Sequence, residues 1–584
     1  MTTSTEATAE RSRVAALPVE EKVRLLTGAD SWRTYGATAL GLRPIVMSDG
    51  PAGVRGITKD DRNPSASIPC PSALGATWDG EHNRERPPAK AAQARDKGVD
   101  VVLAPTINLM RTPLGGRGFE CFSEDPVLSA RLAVGYVRGL RAGGVGAAVK
   151  HYVGNDSETE RWTYDVRIAE AVLRELYLVP FEACVREAGT AMVMAAYNAV
   201  NGARMTEHPW LLRDVLKGEW GFAGAVVSDW DAARSTVPTA QAGLDLVMPG
   251  PDGPWGEALI QAVRDGTVAE ELIDDKVLRL LEVARQVGAL APAAGPGTPD
   301  GRVDGPADGR VDGPVDGAPV PGLAAAADGA VPRTADHGLL RRVAAASFTL
   351  LRNERTTLPI DPATAGSIAL IGPNATHPVI QGGGSAAVHP AFISTPSDAL
   401  RQALDGQATL TVSPGCHTWE AVPEPPAATV TDPVTGEPGV RLEFRAADGT
   451  LLGSEHRAGT VFAWWGDGLP AGIGWGEPGT ISVLASYTPQ QSGPHLVGAA
   501  GVGRLRVTVD GAIAAQGDTP VPADPVETMT RPGEITGQVE FTAGEAAEVR
   551  LDFLPSAEAE GPLAVRLGIV AAPDEDAALA QAVA

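Results

Sequence analysis

Between residues 14 and about 290, short apolar runs recur with helical patterns between them. The runs are PIVMSDG (44–50), VDVVLAPTINL (99–109), GAAVKHYV (146–153), AMVMAAYN (191–198), GAVVSDW (224–230) and GLDLVMPG (243–250). A helix opens at Pro18, carries Val19, Val23 and Leu26 on one face and stops at Gly28. Further helical patterns cover 169–189 and 210–220. Strands that alternate with helices predict a parallel sheet with crossover helices. The runs are apolar on both faces, as strands covered on both sides must be. They lead into polar residues: Asp49, Asn108, His151, Asn198 and Asp229. A (β/α)8-type barrel over 1–292 places its active site at such strand ends. A doubly wound open sheet places ligands there too. The number of runs and the length of the region favour the barrel.

The texture then changes. Residues 293–332 are rich in Pro, Gly and Asp, repeat GRVDGP(A/V)DG and show no apolar period. They predict a disordered linker. Residues 333–416 start a second α/β unit: a helix over 337–353, a strand at 367–373, a turn QGGGSAAV (381–388), a helix at 397–404 and a strand at 409–415. The glycine turn reads as a phosphate cradle or as a tight loop, and it lacks the Lys and spacing of a P-loop. From 417 to 572, VRLEFRA, TVFAWWG, TISVLASYTP, RLRVTVDG, EVRLDFLP and LAVRLGIV alternate in and out between Gly/Pro/Asp turns. That pattern predicts an antiparallel β-sandwich, inserted into an α/β sandwich domain that is only partly present. PDEDAALAQAVA (573–584) reads as the start of a helix in the missing second part, so a chain cut short is expected.

Composition narrows the function classes. The 584 residues carry 48 Lys and Arg against 72 Asp and Glu, a formal net charge of −24. A chain this acidic is a poor partner for nucleic acid. No apolar run approaches the ~20 residues needed to span a bilayer. The N-terminal segment lacks the apolar stretch of a secretory signal, so a cytoplasmic protein is expected. Cys70, Cys121, Cys184 and Cys416 are far apart and form no ligand motif. We expect reduced thiols, mostly buried, and neither metal nor cofactor.

The strand ends carry the chemistry. Asp229 closes the valine-rich run VVSDWDA beside Trp230. Glycoside cleavage needs a carboxylate near an oxocarbenium-like centre and an aromatic wall against the sugar. An Asp that caps the next helix is the plain structural reading. Lys150 and His151 follow each other in KHYVGND, so both reach the mouth only if the backbone turns there. Asp49 and Arg55 lie in SDGPAGVRG; Arg111, Arg117, Glu120, Glu124 and Asp125 lie in RTPLGGRGFECFSEDP. A carboxylate and a guanidinium that clamp vicinal hydroxyls suit a pyranose; a merely solvated charged loop has the same look. Met194 and Tyr197 sit at a further strand end, with core packing the main rival for Met194.

In these strings the chain resembles glycoside hydrolase family 3, the β-glucosidase type. SDGPAGVRG, NLMRTPLGGRGFECFSEDP, KHYVGNDSETER, MVMAAYNAVNG and GFAGAVVSDWDA occur in order over about 40–250. TPQQSGPHLVGAAGVGRLRVTVDG resembles the protective-antigen-like module that some members insert into their second domain. The resemblance implies a retaining, exo-acting hydrolase that releases terminal β-D-glucosyl or related pyranosyl residues from a small β-glycoside. Asp229 would be the catalytic nucleophile. Asp49, Arg117, Lys150, His151 and Tyr197 would grip the sugar, and Met194 and Trp230 would line its site. The loop after KH reads YVGNDSETER with no His, which argues against N-acetylglucosamine substrates and for glucosides or xylosides. The family's acid/base glutamate follows the inserted module, and no residue here matches it. Impaired hydrolysis is therefore expected; a non-catalytic carbohydrate-binding fragment is the alternative. Oligomeric state is not legible.

Overall fold

The computed structural model describes residues 4–57, 62–78, 82–291, 337–464, 469–470, 472–523, 527–559 and 563–583. The expected linker at 293–332 lies outside them. The chain forms two compact units. The first comprises 1–57, 65–348 and the short segment 385–388; the second comprises 58–64, 349–384 and 389–584.

The first unit is built on β1 (Met47–Asp49), β2 (Val101–Leu103), β3 (Gly146–Tyr152), β4 (Met192–Ala195) and β5 (Ala225–Ser228). They lie side by side in that order, all parallel. Every residue of these strands is buried, as the two-sided apolar runs require. The run at 243–250 contributes single parallel bridges in place of a full strand: Leu246 pairs with Val227, and Val247 with Thr27. Antiparallel bridges then join Gly28 to Thr34 and Arg33 to Val46, beside β1. The pairings thus run from β1 across the sheet and back to β1, with one reversed segment at 33–34.

Helices α1 (Val19–Leu25), α2 (Pro126–Ala142) and α3 (Glu270–Gln286) each bury one apolar face. Asp125 begins α2 by accepting the backbone N–H groups of Val127 and Leu128 at 2.7 and 3.0 Å. That loop carboxylate is therefore a helix cap. The predicted helix over 169–189 is present with two wide turns, at 173–177 and 184–188, and ends on Gly189 at φ 63°. Cys121 and Cys184 are buried, Cys70 is half-buried and Cys416 exposed, so only two of the four thiols match the expected burial; all four are free.

In the second unit, β6 (Ser367–Ile371) pairs in parallel with β7 (Thr409–Ser413), and these two form a sheet of their own. The helix predicted over 337–353 spans His337–Ala346 only, within the first unit. Beyond it Phe348, Leu350 and Leu351 are exposed, so the apolar pattern there had no helix to belong to. Strands then fill 430–571 in two antiparallel sheets. One contains β8 (Val440–Arg445), β9 (Thr480–Tyr487), β10 (Gly503–Val509), β11 (Ala512–Asp518) and β12 (Ala547–Pro555). Residues from both sheets, among them Phe444, Val483, Val497 and Leu567, share one apolar core. The terminal helix spans Glu575–Val583, and its Ala578 carbonyl accepts from the Ser413 hydroxyl at 3.1 Å.

Candidate active site

The ends of β1, β3, β4 and β5 bring most of the predicted site residues together. Asp49, at the end of β1, is 6% exposed. It accepts from Lys150 Nζ at 3.2 Å and pairs with Arg55 Nη2 at 2.8 Å. Burial alone would raise this carboxyl. Arg55, Lys150 and Arg117 overcome that and hold it below the usual range.

Lys150 and His151 both reach the site. The ladder between β3 and β4 shifts register between Val149 and Tyr152, so strict in-and-out alternation fails there. Asn108 clamps His151 on both sides of its backbone: Oδ1 accepts from the His151 N–H at 2.8 Å, and Nδ2 donates to its carbonyl at 2.9 Å. Asn108 Oδ1 also lies 3.1 Å from Nδ1 of the ring. An amide oxygen only accepts, so Nδ1 carries the proton and Nε2 is left as an acceptor. Arg117 Nη1 donates to that Nε2 at 3.2 Å. Burial, with Arg117 and Lys150 nearby, pushes the imidazole pKa well below its ordinary value, so the ring is neutral. Its 3.4 Å approach to Asp229 Oδ2 is accordingly a contact and not an ion pair.

Arg117 is the hub of the site. Its Nε and Nη2 donate to the two oxygens of Glu120 at 2.9 and 2.8 Å, a bidentate pair that fixes the guanidinium plane. Glu120 is 1% exposed and held ionised by Arg117 against its burial. Arg117 Nη2 also donates to Ser385 Oγ at 3.3 Å. Ser385, which follows the glycines of that turn, thus joins the site through its side chain; Gly383 and Gly384 have φ 80° and 62° with nothing within 4 Å of an added Cβ, so they serve the turn's backbone angles and not a close approach.

Asp229 follows β5 and is 8% exposed. Its N–H donates to the Ala195 carbonyl at 3.0 Å, which ties it to the end of β4. Its Oδ1 accepts from the Trp230 N–H at 2.8 Å, and no helix starts there. The helix-cap reading therefore does not apply. Burial raises its carboxyl above the usual range, against the pull of Lys150, Arg117 and Arg161. Tyr197 hydrogen-bonds the same carboxylate; burial and that negative charge push the phenol well above its ordinary pKa, so it donates. Trp230 Nε1 donates to the Ser31 carbonyl at 2.9 Å, and its ring lies 5.4 Å from Trp32. Met194, in β4, is 1% exposed and belongs to the main apolar core, as Trp230 does.

Several neighbours were not singled out from the sequence. Trp162 packs on Tyr197 with ring centres 4.2 Å apart, and Arg161 lies 4.8 Å above the Tyr197 ring. Glu158 pairs with Arg161 at 2.7 Å and lies 3.7 Å from Arg117. The adjacent Arg–Trp pair in SETERW is the signal that marked this loop. A cavity of about 10 Å³, room for about one water, lies beside Arg117, His151 and Asp156. Burial pushes Asp156 up to about 6. Among the described residues no group of three or more His, Cys, Asp and Glu side chains is placed to hold a metal, and no helix is long and apolar enough to cross a membrane.

The arrangement offers one buried carboxylate held by O–H and N–H donors, within a ring of paired cations and carboxylates flanked by aromatic faces. Comparison with known proteins matches the chain to a family. A model of the glycosyl hydrolase family 3 N terminal domain matches residues 23–283, and one of the family's C-terminal domain matches 348–560. A beta-glucosidase of Rhizobium radiobacter is 37% identical over 503 residues, 86% of this chain and 56% of the relative. A probable beta-glucosidase J of Aspergillus fumigatus is 34% identical over 98% of this chain and 65% of the relative. The crystal structure of a beta-glucosidase from Kluyveromyces marxianus in complex with glucose superposes with a TM-score of 0.84 at 26% identity, over 97% of this chain and 66% of that one. The chain therefore spans less than two thirds of the length of these relatives.

Proposed function

The chain belongs to glycoside hydrolase family 3, and from that premise we propose that it acts on terminal β-D-glucosyl residues by double displacement on Asp229. The observation that carries the reading is the placement of Asp229: a buried carboxylate at a strand end, bonded by Trp230 and Tyr197 and facing His151, Lys150 and Arg117. In this reading Asp229 Oδ2 attacks the anomeric carbon, the glycosidic C–O bond breaks, and the glycosyl ester is later hydrolysed by water. Lys150, Arg117 and Arg161 favour the ionised nucleophile, and burial keeps it poorly solvated and reactive. Asp49, Lys150 and His151 grip sugar hydroxyls through acceptor, cation and neutral imidazole. Trp230 and Tyr197 form the walls. The circuit of pairings around β1–β5 supports a (β/α) barrel with one reversed strand as the scaffold. The C-terminal match that runs through the two antiparallel sheets supports the protective-antigen-like module.

Leaving-group protonation is the weak step. Asp49 and Glu120 are held ionised by the cations around them and have no proton to give at neutral pH. No other described carboxyl is assigned the acid's place. General acid catalysis contributes ~10²–10⁴-fold. We therefore expect this chain to cleave nitrophenyl β-glucosides, whose leaving groups need little protonation, at least ~10²-fold faster than alkyl β-glucosides. Asp229→Ala removes that turnover. Retained turnover in the variant overturns the assignment of the nucleophile; equal rates on both substrate types show that an acid is in place. Glucose binding with no turnover of either substrate gives the non-catalytic reading.

A further inference from the structure

The outer face of the larger antiparallel sheet carries a second feature, remote in sequence from Asp229. Strict alternation directs Leu505 and Val507 of β10, Leu551 and Phe553 of β12, Ile481 and Val483 of β9, and Leu442 and Phe444 of β8 into the core, each at most 1% exposed. The residues between them must then line the opposite face. Register places Gln516, Arg506, Asp552, Ser482 and Glu443 as one row of neighbours across five strands. Arg504 faces Asp518 and Arg445 faces Thr480 in the adjacent row.

These three arginines and Arg550 of β12 line one groove of about 390 Å³ together with Gln516 and Asp552. Asp552 is the only carboxylate in that lining. Three of the arginines are anchored but keep donors to spare. Arg445 bonds Glu443 at 2.8 Å, Arg504 uses only Nε on Asp518 at 2.8 Å, and Arg550 uses Nε on Asp552 at 2.9 Å and Nη2 on Ser482 at 3.2 Å. Arg506 is exposed, and among the described residues it makes no hydrogen bond or ion pair. With Glu443, Asp518 and Glu548 counted, the four cations are balanced by four anions, in a chain whose net charge is −24.

The chemistry of the lining selects among anions. Guanidinium forks match carboxylates and other oxyanions in a plane. A bare oxyanion has no use for Asp552 and is repelled by it; a hydroxyl donates to it. Gln516 and Thr480 add a donor and acceptor pair of the kind hydroxyls use. Among the described residues the lining holds no aromatic side chain, so neither a nucleobase nor the apolar face of a neutral sugar has a stacking partner there. We propose that this groove binds a carboxylate-bearing sugar, a uronate residue of an acidic oligosaccharide, with Arg504 and Arg506 taking the carboxylate and Asp552, Gln516 and Thr480 the hydroxyls. The site is independent of hydrolysis at Asp229.

The test is calorimetric titration of the whole chain with tri-galacturonate. Binding is expected to weaken between about 50 mM and about 500 mM NaCl, as screening requires. Arg504→Ala/Arg506→Ala is expected to weaken it at least ~10-fold, about 1.4 kcal/mol. Both side chains are exposed, so the melting temperature of the variant should match the parent; if the pair fails to fold, Arg506→Gln alone serves. Asp229→Ala should bind the trisaccharide as the parent does, which separates this groove from the proposed catalytic site. No binding by the parent, unchanged binding by the arginine variants, equal binding of neutral cellotriose, or displacement of the trisaccharide by an equal concentration of sulfate would each overturn the proposal.

Discussion

Two parallel strand pairs in this molecule look alike in sequence and behave differently in structure. β3 and β4, AAVKHY and MVMA, are buried throughout. β6 and β7, SIALI and TLTVS, alternate between exposed and half-buried except at the buried Ser413, and Ile371 is 53% exposed. Both pairs are hydrogen-bonded parallel ladders, the first with a register shift between Val149 and Tyr152 and the second without one. The difference lies in what covers them. The first pair sits mid-sheet under the helices of its unit, with polar groups only at its ends. Among the described residues the second has no further strand at either edge, and it packs on α-helical segments at 396–404 and 575–583. A hydrogen-bonded ladder alone therefore does not make a core; burial on both faces does, at roughly 25 cal/mol per Å² of apolar surface. That difference also decides where chemistry is possible. Only the covered sheet, of which that pair is the middle, holds Asp49, His151 and Asp229 out of water.

The comparison breaks hardest at the buried charges. Asp49→Ala leaves Lys150 and Arg55 facing each other without their shared carboxylate and should cost ~3–5 kcal/mol in urea unfolding. A cost near zero would mean that the ring of charges does not depend on burial. Next come the apolar positions. Met192→Ala, at a fully buried site in β4, should cost ~2–5 kcal/mol, whereas Ile371→Ala in β6 should fall within about 0.5 kcal/mol of the parent. Equal losses at the two positions would erase the distinction between the pairs.

A smaller effect sharpens the account by pH. His151 is held neutral in the fold, with a pKa well below 6.5, while the unfolded chain takes up its proton near 6.5. Its contribution to stability is therefore complete above about pH 6.5 and is lost as pH falls toward the folded value, by at most about 1.4 kcal/mol per pH unit. His151→Gln should flatten this part of the stability profile, measured by denaturation between about pH 7 and about pH 5. An unchanged slope would mean that the ring is protonated in the fold.

Much of the site was legible because strands end where polar residues begin. Asp49, His151 and Asp229 each come at the end of a short apolar run, and period and position alone direct them to one end of the sheet. Arg117 was legible as part of a charged loop, but its bidentate hold on Glu120 was not, since loop geometry has no period to read. Arg161, Trp162 and Ser385 come from connections whose approach to the site depends on the packed fold. The exposure of β6 and β7 was hidden for a related reason: a short apolar run has the same pattern whether or not a second layer covers it.

The central claim is that Asp229 bonds covalently to the sugar. Incubation with an activated 2-deoxy-2-fluoroglucoside, which slows breakdown of the ester, followed by peptide mass spectrometry tests it directly. The account predicts one fluoroglucosyl group on the peptide that contains Asp229 and none on Asp229→Asn. A label on Asp49, Glu120 or any other carboxylate, or sustained hydrolysis of aryl glucosides with no label at all, would contradict it.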